Sequence, residues 1–226
     1  MLEVDVVYQL QNQLDQLIPP GAAGIVSKIK AVEESTEYPE EMQHVAKAVQ
    51  KRQNEFIAGR RCARRALAKI GTPPCPLPAD KHRAPQWPKG IVGSISHTTD
   101  LCCAVTAQQS EVKCLGVDLE KTTRISSGVI QRILHPAEAD IVGTDQTLGS
   151  LYFSAKEAFF KAQFPIWGVW PNFEDLALKA DASVGSLEVD HIAAHLPKDL
   201  CSMAVKLQFR YSFIADSVLV ICWLKQ

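Results

Sequence analysis

The alternation of apolar and polar positions divides the chain into four zones. Residues 40–70 carry Val45, Val49, Phe56, Ile57, Ala63, Ala66 and Leu67 at roughly helical spacing, which predicts one long helix or two shorter ones. Gly71, backed by Pro73 and Pro74, marks the stop. Residues 72–88 are proline-rich and predict an extended connector over the surface. Three short apolar or alternating runs follow at 91–96, 101–107 and 112–118, read as antiparallel strands. Helical spacing returns at 129–142 and 148–164, and strand patterns at 175–179, 204–211 and 217–223, the last a continuous buried run. Helices, strands, helices, strands is the order of an α+β protein, and it suggests two similar halves meeting near residues 118–123.

Two acidic motifs stand out on this frame. Gly116-Val117-Asp118-Leu119-Glu120 ends the third strand, and the two-residue spacing sends Asp118 and Glu120 to one face. In Phe153-Ser154-Ala155-Lys156-Glu157-Ala158-Phe159-Phe160-Lys161, the four-residue spacing puts Glu157 and Lys161 on one helix face. Three hard carboxylates suit Mg²⁺, which binds through few acids and takes further ligands from water and substrate phosphates. A lysine beside them would stabilise phosphoryl charge. The plainer alternative is an S-x-x-E capping box, with Ser154 starting the helix and Glu157 bonding back to it. A capping box needs neither Lys156 nor Lys161 and leaves Asp118 and Glu120 without a role.

The same residues resemble the phosphopantetheinyl transferases of the surfactin-synthase-activating type, closest to the enterobactin synthase component D branch that serves siderophore synthesis. The pattern is a G-[IV]-D-x-E strand end followed some forty residues later by [WF]-[SAC]-x-K-E-[AS]-x-x-K. Two further blocks carry the resemblance: Gly59-Arg60-Arg61-Cys62-Ala63-Arg64-Arg65-Ala66-Leu67, and Arg83-Ala84-Pro85-Gln86-Trp87-Pro88 leading into Gly93-Ser94-Ile95-Ser96-His97-Thr98. The match spans roughly residues 50–165. It implies the two-half, pseudo-two-fold transferase fold with the active site between a half at 1–118 and a half at 119–226.

The resemblance implies a Mg²⁺-dependent transfer of 4′-phosphopantetheine from coenzyme A to a serine of an acyl, peptidyl or aryl carrier protein, releasing adenosine 3′,5′-bisphosphate. By the same resemblance Asp118, Glu120 and Glu157 hold the metal, and Glu157 and Lys161 are catalytic. Arg60, Arg64, Arg83, Ser96, His97 and Lys156 are the implied coenzyme A contacts, Arg52 is a weaker one, and Glu138 is an orienting acid. Arginine's planar fork suits bidentate phosphate contact. On the residues alone, the arginines at 60, 61, 64 and 65 also fit a solvated basic face, and His97 an ordinary turn residue. The segment 164–173, with Trp167 and Trp170, fits either core or a docking mouth for the carrier.

Composition narrows the alternatives. A formal net charge of −1 provides no global field to recruit nucleic acid or an anionic membrane. Seven cysteines without C-x-x-C spacing read as thiols in a reducing compartment. Residues 1–10 carry Glu3 and Asp5 and lack the basic and long apolar regions of a leader, so the expectation is a soluble, cytoplasmic protein; the family resemblance implies that it acts as a monomer. Two other functions use the same features: a Mg²⁺-dependent phosphodiesterase or nucleotidyl transferase, and a non-catalytic coenzyme A or carrier-binding module.

Overall fold

The computed structural model describes residues 5–30 and 38–226, so the reading of the amino terminus lies partly outside the described residues. The chain forms two compact units, one of residues 1–113 with Gln226 and one of residues 114–225. The boundary falls after Lys113, so Asp118 belongs with Glu120 and Glu157 in the second unit.

In the first unit helix α1 (Val6–Leu17) starts at Asp5, whose carboxylate accepts from Val7 N, and buries Leu10 and Leu14 completely. Strand β1 (Ala23–Lys28) is an edge strand beside it. Gln11 blunts that edge: its amide donates to Gly24 O at 3.1 Å and accepts from Val26 N at 2.8 Å. Neither α1 nor β1 stands out in the hydrophobic pattern. Helices α2 (Pro39–Met42) and α3 (Gln50–Lys69) divide the long helical zone, and Gly71 ends it with φ +75°.

Strands β2 (Ile91–His97) and β3 (Leu101–Gln108) pair antiparallel, and the sheet order is β1-β3-β2. One face of α3 packs on it, joining Ala58, Cys62, Ala63, Ala66 and Leu67 to Ile25, Ile91, Cys102 and Ala104. Small residues let the helix sit close; a Cβ on Gly59 would come 2.9 Å from Ile95 Cγ2. The 72–88 connector contains no helix or strand, only a bridge between Ala79 and Pro85. It is not wholly superficial, because Leu77 and Ala79 are buried.

The third apolar run does not extend this sheet. A strand has two edges, and those of β3 are already taken by β1 and β2. Strand β4 (Val112–Lys121) instead edges a five-stranded sheet of order β4-β8-β7-β6-β5, formed with β5 (Leu176–Asp181), β6 (Ser186–Ile192), β7 (Gln208–Ile214) and β8 (Ser217–Lys225). The pairs β5–β6, β6–β7 and β7–β8 are antiparallel. Strand β6 and helix α7 (Lys198–Ala204) lack a strong sequence signal, and Ala204, read as strand, ends α7.

The helical zone at 129–142 is two helices, α4 (Ser127–Ile133) and α5 (Pro136–Val142), broken at Leu134 and His135 ahead of Pro136. Helix α6 (Gln146–Trp167) starts at Asp145, which caps Thr147 N and Leu148 N. Ser154 therefore lies inside a helix that begins upstream, and the S-x-x-E capping box is not formed. Leu151, Tyr152, Ala155, Ala158, Phe159 and Ala162 bury one face of α6 in the unit's core. Among the described residues no helix is long and apolar enough to cross a membrane.

Candidate active site

Gly116 decides how the acidic motifs meet. A Cβ at this position would fall 2.0 Å from Ala158 O and 2.9 Å from Ala162 N, so the β4 backbone touches the α6 backbone there. Two residues on, Asp118 is held between two α6 side chains. Its Oδ1 accepts from Lys161 Nζ at 2.6 Å and its Oδ2 from Ser154 Oγ at 2.8 Å. Lys161 Nζ also donates to Val117 O at 3.2 Å. Ser154 thus positions Asp118, a role that sequence spacing does not reveal because the contact crosses from helix to strand.

Glu120 is equally buried. Its Oε1 accepts from Lys121 N and its Oε2 from Arg124 at 2.7 Å, yet burial raises its pKa, with Asp118 adding to the effect. Glu157 differs from both: its carboxylate accepts no hydrogen bond among the described residues. Burial pushes its pKa up, Lys161 pulls it down, and the negative charges of Asp118 and Glu120 push it up again. The site is an acidic cluster with Lys161 and Arg124 as partial counter-charges.

The charge of Asp118 reaches both Glu120 and Glu157, and that of Glu120 reaches Glu157. Among the described residues, however, no three His, Cys, Asp or Glu side chains converge as a ready-made metal cage. Asp118 is turned toward Lys161 and Ser154, and Glu120 toward Arg124. Hard, mutually repelling carboxylates with one unsatisfied member fit an ion such as Mg²⁺, which relies on one or two acids completed by water and phosphate oxygens. They do not fit a cage built by protein alone.

Next to Glu157 a cavity of about 280 Å³ is walled by Lys156, Phe160, Trp170, Phe173 and Leu176. Phe160, Phe164 and Trp170 form a ring cluster with centroids 4.9–5.1 Å apart. The aromatic segment is therefore cavity wall as well as core. Lys156 and Glu138 form a buried pair at 2.6 Å, with side chains 3% and 1% exposed.

The basic candidates gather in the first unit. Arg64 donates to Glu41 at 2.6 Å and lies over the Tyr38 ring, and Glu41, completely buried, also accepts from Leu77 N. Arg60 donates from Nε to Leu77 O at 2.6 Å and stacks on Phe56, 4.4 Å from the ring centroid. Its Nη2 is buried without a protein partner among the described residues. Burial first, then Arg64 and Arg52, push its pKa down to about 10 against the pull of Glu41, so it stays cationic at neutral pH.

Arg52, Arg83 and His44 line a second cavity of about 180 Å³ together with Phe56 and Ala79. Arg83 holds its place there with a left-handed φ of +70°. Ser96 is buried in β2. His97 Nε2 lies 3.0 Å from Arg52 Nη1 and its Nδ1 lies 3.2 Å from Thr98 O. The Glu55 carboxylate lies 3.8 Å from the same Nε2, so His97 sits between a guanidinium and an acid. Tyr38, Glu41 and His44 escape a reading of the sequence, because Tyr38 and Glu41 meet Arg64 from the start and body of α2 and His44 lines the cavity from the turn after it, with no periodic signal.

Comparison with known proteins divides the chain at the same place. Residues 40–107 match the model of a 4′-phosphopantetheinyl transferase N-terminal domain, and residues 114–206 match that of the 4′-phosphopantetheinyl transferase superfamily. The chain is 37% identical over 155 residues to the 4′-phosphopantetheinyl transferase Svp of Streptomyces mobaraensis, covering 66% of this chain and 63% of Svp. It is 32% identical over 178 residues to the 4′-phosphopantetheinyl transferase Npt of Nocardia iowensis, covering 77% of this chain and 80% of Npt. It is also 32% identical over 169 residues to enterobactin synthase component D of Salmonella typhi, covering 72% of this chain and 67% of that protein. The match thus spans less than two thirds of Svp but more of Npt.

Proposed function

The chain belongs to the 4′-phosphopantetheinyl transferase superfamily, and we propose that it transfers the 4′-phosphopantetheine arm of coenzyme A to a serine of a carrier protein. The observation that carries this reading is the Glu157 carboxylate, unpaired and raised in pKa, beside Asp118, Glu120 and Lys161 on a strand–helix pair that Gly116 brings into backbone contact.

In the proposed reaction the carrier serine Oγ attacks the phosphorus bonded to the pantetheine arm, and the bond to adenosine 3′,5′-bisphosphate breaks. Glu157 is placed to take the serine proton, directly or through a water; burial and its acidic neighbours raise its basicity in the metal-free site. Lys161 keeps a cation beside Asp118 where charge develops on the transferring phosphoryl group. Asp118, Glu120 and Glu157 would hold Mg²⁺, which neutralises pyrophosphate charge when bound. Arg60 and Arg83, with Ser96 and His97, are proposed to take the nucleotide and phosphate end of coenzyme A. Arg64, bonded to Glu41, adds charge and shape behind them. The apolar cavity beside Glu157 offers walls to the pantetheine arm. The likeness to enterobactin synthase component D favours a carrier domain of a nonribosomal peptide synthase as acceptor.

The test is the intact mass of an apo carrier protein incubated with this protein, coenzyme A and Mg²⁺, beside a chelator control. A gain of about 340 Da that requires metal is expected of the metal-assisted displacement. Release of phosphopantetheine without any carrier would point to a phosphodiesterase. Coenzyme A binding without transfer to acyl, aryl or peptidyl carriers would point to a binding module.

A further inference from the structure

The buried pair next to the acidic cluster is saturated by the protein itself. Lys156 Nζ has three hydrogens and three acceptors: Ile133 O at 2.8 Å, Glu138 Oε2 at 2.6 Å and Phe173 O at 2.9 Å. Glu138 accepts in turn from His135 N at 2.8 Å through Oε2 and from Leu178 N at 2.7 Å through Oε1. An ammonium with three protein acceptors has no N–H left for a phosphate oxygen. The contacts reach the last residue of α4, the first turn of α5, the 3₁₀ turn Phe173–Asp175 and strand β5.

Those anchor points have a functional geography. Phe173, whose carbonyl Lys156 holds, lines the aromatic cavity and stacks on Phe153 with centroids 5.5 Å apart. Trp170 stands three residues before it in the same wall, and Leu176 three residues after. Lys156 immediately precedes Glu157 on α6, so one residue fixes the far wall of the cavity to the helix that carries the unpaired carboxylate.

We infer that Lys156 and Glu138 are positioning residues: together they clamp the Trp170–Phe173 wall to α6 and so set the aromatic cavity beside Glu157, and the Lys156 ammonium does not touch the phosphates of coenzyme A. This replaces the phosphate contact that the motif resemblance implies for Lys156, and its ligand-binding arm rests on the function proposed above.

The experiment uses the full chain as wild type, Glu138→Gln and the double variant Lys156→Met/Glu138→Gln, which leaves no unpaired buried charge. The first readout needs no ligand. With 5-fluorotryptophan incorporated, the Trp170 ¹⁹F resonance, assigned by its loss in Trp170→Phe, is expected to move in both variants, while that of Trp87 in the first unit stays. An unmoved Trp170 resonance in the folded double variant would overturn the clamp. The second readout is calorimetric binding. Affinity for coenzyme A should fall at least tenfold in the double variant, with affinity for adenosine 3′,5′-bisphosphate held within about threefold, because only the former has an arm to place. Equal weakening of both ligands would mean that Lys156 binds phosphate, and would sink the inference. A wild type that binds neither ligand would refute the proposed function while the Trp170 resonance still decides the clamp. Should the double variant fail to fold, Glu138→Gln, close in shape, is expected to move Trp170 in the same direction by less.

Discussion

The two units handle buried charge in opposite senses. In the first, the two buried arginines differ: Arg64 is engaged by Glu41, while Arg60 keeps a buried Nη2 without a protein partner among the described residues. In the second, Asp118, Glu120 and Glu157 outnumber Lys161 and Arg124, and the Glu157 carboxylate accepts no hydrogen bond among the described residues. Neither imbalance serves stability, since desolvating a charge costs more than an exposed pair returns. Among the described residues, the buried Arg60 Nη2 in the first unit leaves room for an acceptor, and the acidic cluster in the second leaves room for a cation.

The sharpest way to break this comparison is to remove the internal compensation of the first unit. Arg64→Met takes from the buried Glu41 the guanidinium that lies 2.6 Å away and should cost about 3–5 kcal/mol of unfolding free energy, read by chemical denaturation. Arg64→Met with Glu41→Gln should recover much of the loss, and an Arg64→Met protein as stable as wild type would remove the pair from the argument. The matching change in the second unit is Lys161→Ala, which takes from Asp118 the cation proposed to face the transferring phosphoryl group. It should lower kcat for carrier loading by about 2–4 kcal/mol equivalent, with little change in affinity for coenzyme A.

Gly116→Ala tests the close approach that assembles the acidic cluster. The added methyl would overlap Ala158 O, so β4 and α6 must part, at about 1–3 kcal/mol in stability and with loss of transfer. Normal turnover by this variant would detach the acids from catalysis. The smallest effect concerns pH and metal. Glu120 and Glu157 have raised pKa values, so the folded state binds more protons than the unfolded one, and stability falls as pH rises past the ordinary glutamate value. The penalty is complete once the pH has passed the raised, folded-state values. Mg²⁺ at ten times its Kd should then raise the unfolding free energy by about 1.4 kcal/mol. Glu157→Gln should raise the Tm of the metal-free protein and flatten the response to Mg²⁺.

Much of this arrangement is legible in the chain itself. Helix and strand types follow from periodicity wherever a segment is long and one-sided, as in α3, α6 and β8. Asp118 and Glu120 share a strand face, and Glu157 and Lys161 a helix face, because the two-residue and four-residue spacings are properties of any strand or helix. Elements with a weak or short pattern are harder to read: α1 and β1, β6 with a single buried residue, and α7.

What tertiary structure alone decided is which edges and charges pair. The run at 112–118 reads the same whichever sheet it joins; it cannot pair with its chain neighbour β3, whose two edges are taken, and it lies beside β8 instead. Ser154 satisfies a capping box on paper but bonds Asp118, because α6 nucleates earlier, at Asp145. Lys156 and Arg64 carry the charge expected of phosphate ligands, yet both are bonded to buried acids, Glu138 from 18 residues upstream and Glu41 from 23. Local spacing fixes the direction of a side chain from its own backbone. The partner it meets depends on long-range packing, and burial then makes that partner obligatory, because a desolvated charge must be matched by whatever the fold has brought within reach.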